Sequence, residues 1–205
     1  FAHHTTSLVF NDPPLHSRVR KVITGALTPR ALARMEPDLI ALVDGLLDRM
    51  GDRAELIEGF AAAIPIEVIG NLLGVPQADR GPLRGWSLAI LGALEPALPP
   101  EGHASGNAAV SEFLTYLKGL VDDRRRSPGD PDTDVLTRLI QSDEGGGLSE
   151  PELLHNCIFI LNAGHETTTN LIGSGLALLD QHRDARAARL ADPPLMPAAV
   201  AEVLR

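Results

Sequence analysis

One stretch constrains this chain more than any other. Ser149 and Glu152 have the spacing of a capping box, and an apolar period begins at Leu153. From there no proline or other stop appears until beyond Gln181. The pattern predicts one helix of about thirty residues, roughly 45 Å long at 1.5 Å per residue. A helix of that length exceeds the ordinary globular one.

The remaining segments agree with a helical surround. Asp12-Pro13 reads as an N-cap followed by a first-turn proline, predicting a helix from Pro13 to about Ala26. Thr28-Pro29 repeats the signal and opens a stretch to about Met50, which Pro37 kinks or restarts and Gly51 stops. Residues 57 to 73 are apolar and helix-like, ending at Gly74 and Pro76. A short helix is expected over 79 to 94, then a Pro- and Gly-rich loop from Glu95 to Gly106. Val110, Phe113, Leu114, Leu117 and Val121 recur at three and four, marking an amphipathic helix over Ala108 to Arg126. Its last turn carries Arg124, Arg125 and Arg126, where positive charge complements the helix dipole. Val135 to Gln141 forms a further short helix, ended by Gly145-Gly146-Gly147, and two more follow over 184 to 191 and 194 to 205. No alternating strand pattern and no internal repeat occurs. The fold class is mostly α, in a single helical domain spanning 1 to 205.

Composition narrows the function. Lys plus Arg number 18 against 27 Asp plus Glu, a formal charge of −9, which disfavours nucleic acid and anionic membrane as partners. No apolar run reaches the 18 or so residues of a membrane span. Aromatic residues are 3% of the chain, so the core must be aliphatic. The single cysteine, Cys157, excludes an internal disulfide, a cysteine-rich zinc site and a chain-contained iron–sulfur cluster. A lone cysteine fits a reducing, cytoplasmic setting.

The chemistry concentrates in the long helix, where residues 161 to 170 read LNAGHETTTN. Ala163, Gly164, Thr167 and Thr168 share one face, small and carrying hydroxyls. A mid-helix Gly costs about 1 kcal/mol relative to Ala, and successive Thr are poor helix formers. Two readings offset that cost: a tight helix crossing, or a flat rigid ligand lying on the stripe. Glu166 beside Thr167 places an acid and an alcohol at the edge of the same surface, a pair able to relay protons. Alternatively, the Thr hydroxyl simply bonds the carbonyl one turn back. His165-Glu166 does not make a zinc-protease site, because the second His that pattern needs is Thr169. Asp122-Asp123 does not make the Asp-rich magnesium motif of isoprenoid synthases, because Arg124 to Arg126 follow it.

Ala163-Gly164-His165-Glu166-Thr167-Thr168 resembles the oxygen-activation motif of the long central helix in cytochrome P-450 haem-thiolate monooxygenases. Two further motifs stand in the same order as in that family. Asp12-Pro13-Pro14-Leu15-His16-Ser17-Arg18-Val19-Arg20 resembles the start of its C helix in soluble bacterial members, and Glu202-Val203-Leu204-Arg205 resembles the Glu-x-x-Arg motif of its K helix. The resemblance spans essentially the whole chain. It implies the helical portion of the P-450 fold around a very long central helix, with most of the family's β-structure absent. It implies that Glu166 and Thr167 deliver protons, that His16 and Arg20 bind haem propionates, that Ala163 and Gly164 let the helix lie close over the haem, and that Glu202 and Arg205 form a structural pair. On the residues alone, His16 and Arg20 at i, i+4 are equally a solvated basic face beside Arg18 and Lys21, and Glu202–Arg205 a surface ion pair.

The complete protein, on this resemblance, carries haem b, accepts electrons from a ferredoxin-type redox partner and inserts one atom of O₂ into an apolar small molecule. One departure matters. The family's cysteine ligand lies in a Gly-rich loop downstream of Glu-x-x-Arg, and this chain has no such loop after Arg205. Cys157, about two turns before Gly164, reads as a small apolar core residue. The chain by itself is therefore expected to bind no haem stably and to be inactive. The competing reading is a haem-free helical binding or scaffold protein that covers its exposed apolar surface by forming a homodimer.

Overall fold

The computed structural model describes residues 2–132, 134–142 and 147–205. Ten α-helices account for most of them: α1 Leu15–Ala26, α2 Pro29–Arg34, α3 Glu36–Asp48, α4 Ala63–Leu72, α5 Gly81–Gly92, α6 Pro100–Arg126, α7 Val135–Gln141, α8 Glu150–Gln181, α9 Arg183–Ala191 and α10 Met196–Val203. No strand occurs among the described residues. The helix α8 runs unbroken for 32 residues, as the capping signal requires. Ser149 accepts from the Glu152 backbone N–H, and the Glu152 carboxylate accepts from the Ser149 N–H at 2.8 Å. α4, α5 and α6 pack along α8, and α5 lies against α6.

Several starts and stops follow local chemistry. Thr28 caps α2 by accepting from the Ala31 N–H at 3.2 Å. The break between α2 and α3 falls at Met35, two residues before Pro37. Asp12 is a correction: α1 begins at Leu15 with no side-chain cap, and Asp12 contributes only its carbonyl, to the His16 N–H at 3.1 Å. The loop expected over Glu95 to Gly106 is a second correction, because α6 starts at Pro100. Its glycine serves packing rather than a turn. A Cβ on Gly106 would lie 2.3 Å from the Ala93 Cβ and 3.1 Å from the Ala89 carbonyl, so Gly is what lets α6 approach α5. Of the expected stop Gly145-Gly146-Gly147, the first two residues lie outside the described residues.

The core is aliphatic, as the composition requires: Val19, Leu73, Leu83, Ile90, Leu117, Leu136, Ile158 and Leu161 are all essentially inaccessible. The aromatic exception joins α5 to α6, where Trp86 stacks on Phe113 with ring centroids 5.0 Å apart. Beyond Thr169 no residue of α8, and none of α9 or α10, is buried.

Candidate active-site face of the long helix

The 3.6-residue period divides α8 into two faces. Leu154, Ile158, Leu161, His165 and Thr169 form the buried stripe, whereas Ala163 and Thr167 are exposed. Between them, Gly164 is placed against α4: an added Cβ would lie 2.9 Å from the Ile69 Cδ1. A tight helix crossing therefore accounts for Gly164, and the small exposed surface beside it is that of Ala163. The Thr167 hydroxyl donates to the Ala163 carbonyl at 2.6 Å. Its hydrogen is thus used within the helix, and its lone pairs remain on the exposed side. Glu166 is half-buried, and its carboxylate engages no described residue. An uncommitted acid and an outward-facing hydroxyl are thus consecutive along the helix.

Helix α1 is docked at the start of α8 by Arg18. Its guanidinium forks onto both oxygens of Glu152 and donates to the Gly147 carbonyl at 2.8 Å. That partner holds the Glu152 carboxyl below its ordinary pKa, against the opposing effect of burial. Glu152 therefore caps one helix and clamps another. The adjacent cations differ: His16 is half-buried, Arg20 is exposed, and neither side chain engages a described residue. The basic face of α1 thus divides into one committed arginine and two free donors one turn apart, which suit a pair of carboxylates. A haem presents such carboxylates, and the exposed small surface at Ala163 suits its flat ring. These residues fit the group.

The other expected residues stand apart. Cys157 is completely buried, and burial pushes its thiol up to about 12, so it is an inert core residue rather than a ligand. Glu202 and Arg205 pair at 3.2 Å, but their side chains are 71% and 81% exposed. Among the described residues no cluster of His, Cys, Asp and Glu is placed to hold a metal ion. Among the described residues no helix is long and apolar enough to cross a membrane.

Three structural anchors escape sequence reasoning. Asn156 donates to the Thr6 carbonyl at 3.1 Å and accepts from the Leu8 N–H at 2.8 Å, fastening the N-terminal segment to α8. Arg124 bonds Asp134 at 2.6 Å and the Gly74 carbonyl at 2.9 Å, a role beyond dipole compensation. His165 bonds Ser87 of α5 at 3.1 Å. Each joins segments far apart in the chain, so no local spacing announces it. For Asn156 and His165 the one available signal was a polar residue among apolar ones.

Residues 94–205 match the family model described as Cytochrome P450. The cytochrome P450 monooxygenase PikC of Streptomyces venezuelae is 39% identical over 205 residues, covering 97% of this chain and 47% of that protein. The 6-deoxyerythronolide B hydroxylase of Saccharopolyspora erythraea is 37% identical, covering 99% and 49%. Among solved structures, P450BioI in complex with an acyl carrier protein ligated to hexadec-9Z-enoic acid superimposes with a TM-score of 0.90 at 32% identity, covering 98% of this chain and 51% of that one. The chain spans about half the length of the curated relatives it matches.

Proposed function

The chain belongs to the cytochrome P450 family, and from that premise we propose that the protein containing it is a haem-thiolate monooxygenase acting on an apolar small molecule. The observation that carries the reading is the exposed surface of α8 at Ala163, flanked by an outward hydroxyl and an uncommitted carboxylate. Hydroxylase and monooxygenase relatives support the reaction type. When bound, haem supplies the chemistry that splits O₂, one atom entering the substrate and the other leaving as water at the expense of two electrons and two protons. A ferredoxin-type partner supplies the electrons.

This chain's residues bind, shape and protonate. His16 and Arg20 donate to the two propionates from one face of α1. Ala163 keeps the helix surface low where the ring lies, and the Gly164 crossing holds that surface against α4. Thr167 accepts a hydrogen bond at its outward lone pairs and so retains a water in the pocket. Glu166 passes protons between solvent and that water. Glu202 and Arg205 form the structural pair of the family's K-helix motif.

The full-length protein, reduced under carbon monoxide, tests the haem-thiolate assignment. A Soret band at the thiolate position is expected, together with one labelled atom from ¹⁸O₂ in the product. A complex lacking that band, or product without label, would refute the proposal. His16→Ala with Arg20→Ala is expected to lower haem retention in the same protein while leaving helicity unchanged.

A further inference from the structure

His165 is 1% exposed, in a stripe shared with Leu154, Ile158, Leu161 and Thr169. An aliphatic side chain would fill the stripe itself without burying an imidazole. The imidazole instead bonds through Nδ1 to the fully buried Ser87 hydroxyl of α5 at 3.1 Å. Its Nε2 has no hydrogen-bond partner. Burial and the nearby Arg84 guanidinium lower its pKa, which keeps the ring neutral. Arg84 is itself held by Glu58 at 2.5 Å, in the π-turn Ile57–Ala61 that also packs on α8.

The helix needs external support at this point. Gly164 has no side chain to restrain it. The Ala163 carbonyl accepts a second bond from Thr167 at 2.6 Å, and the His165 carbonyl one from Thr169 at 2.9 Å. Hydroxyl bonds of this type compete with the backbone ladder and bend helices. From Gly164 to Thr169, then, α8 carries one glycine and two competing hydroxyls, one of them that of Thr167, and Glu166 lies in the same turn. Apolar contacts alone resist rotation weakly, because they are non-directional. A buried hydrogen bond across the crossing fixes azimuth.

We infer that His165 is a positioning residue: its bond to Ser87 pins the softened segment of α8 to α5 and so fixes the direction in which Glu166 and Thr167 face. The inference rests on the relay reading above. The pin is a property of the fold and is measurable without haem.

The test uses hydrogen exchange and turnover of the full-length protein. His165→Leu keeps the volume and suits the stripe, Ser87→Ala removes the partner, and His165→Asn retains a polar atom at the Nδ1 position. In the Leu and Ala variants, amides of residues 166–169 are expected to exchange about three- to tenfold faster. Amides of 153–158 should keep their protection, and Asn should restore the first group. Product formed per electron should fall in the Leu and Ala variants and recover in Asn, with haem content unchanged. Exchange at 166–169 unaltered by Leu and Ala overturns the pin. Uniform loss along α8 reveals a merely structural role and overturns it as well. Faster local exchange with unchanged product per electron overturns the positioning role. If instead Thr167→Ala leaves product per electron intact, the relay reading fails while the exchange result still stands.

Discussion

The two parts of α8 obey different physics. From Glu152 to Thr169 the helix is capped, clamped by Arg18, fastened by Asn156 and buried along one stripe. From Asn170 to Gln181 it has no buried residue, and α9 and α10 that follow have none either. The first part is held by buried tertiary contacts, and the second more by helix propagation, with partial cover from α9, α10 and Ile57 of the π-turn, which lies against Gly173. Glu166 and Thr167, the proposed relay, lie at the boundary. They have a rigid base on one side and open surface on the other.

The largest expected contrast comes from truncating an apolar side chain in each region. Leu161→Ala empties a fully buried site and should cost about 3 kcal/mol. Leu190→Ala in α9, at a residue 72% exposed, should change stability by less than about 0.5 kcal/mol. Urea midpoints of the two variants check this, and equal losses would erase the distinction.

Glu152→Ala removes the carboxylate half of the capping box and the Arg18 partner, with an expected loss of about 2 kcal/mol in the same assay. Its acid dependence has a fixed sign. The folded carboxyl has a lowered pKa, so its contribution is full above the ordinary 4.5 and disappears as pH falls through the lowered value. His3 loses stability earlier. Burial, aided by His4 and His155, lowers its pKa from 6.5 to about 4, so its neutral-ring contribution is lost between those values. Denaturant midpoints from pH 7 down to 4 should therefore fall before Glu152 protonates. His3→Leu should make that upper limb shallower, though His4, His155 and His165, whose pKa values burial also lowers, keep part of it, and Glu152→Gln should act only on the lower one.

Glycines sharpen the comparison with smaller effects. Gly106→Ala forces a methyl into the α5–α6 crossing and should destabilise by about 1–2 kcal/mol. Gly175→Ala adds one at ordinary contact, 3.6 Å from a Val203 methyl, and should stabilise by up to about 1 kcal/mol through helix propensity. Thermal midpoints moving in opposite directions are the expected result.

Local chemistry made α8, α2 and the Pro37 restart legible in the sequence, because a cap, a proline and a periodic stripe lie within a few residues of one another. The start of α6 was not legible: Gly102 and Gly106 read as loop residues until the Ala93 backbone is seen beside Gly106. The relay pair and the basic turn of α1 were visible as motifs. The division of labour on α1 was not, because the Glu152 that claims Arg18 lies 134 residues away. Gly164 shows the same limit, since its partner Ile69 belongs to α4.

The central claim is that Glu166 and Thr167 deliver protons to the reacting oxygen, and the most direct measurement is product and peroxide formed per electron in the full-length protein. Thr167→Ala removes the hydroxyl and leaves the buried stripe of α8 in place. Electron consumption should continue while product falls and hydrogen peroxide rises in its place. Glu166→Gln should slow turnover itself, and acid–base groups of this kind contribute about 10²–10⁴-fold. Product per electron unchanged in Thr167→Ala, with losses under about twofold in both variants, would contradict the account and leave Thr167 as a hydroxyl that only bonds the Ala163 carbonyl.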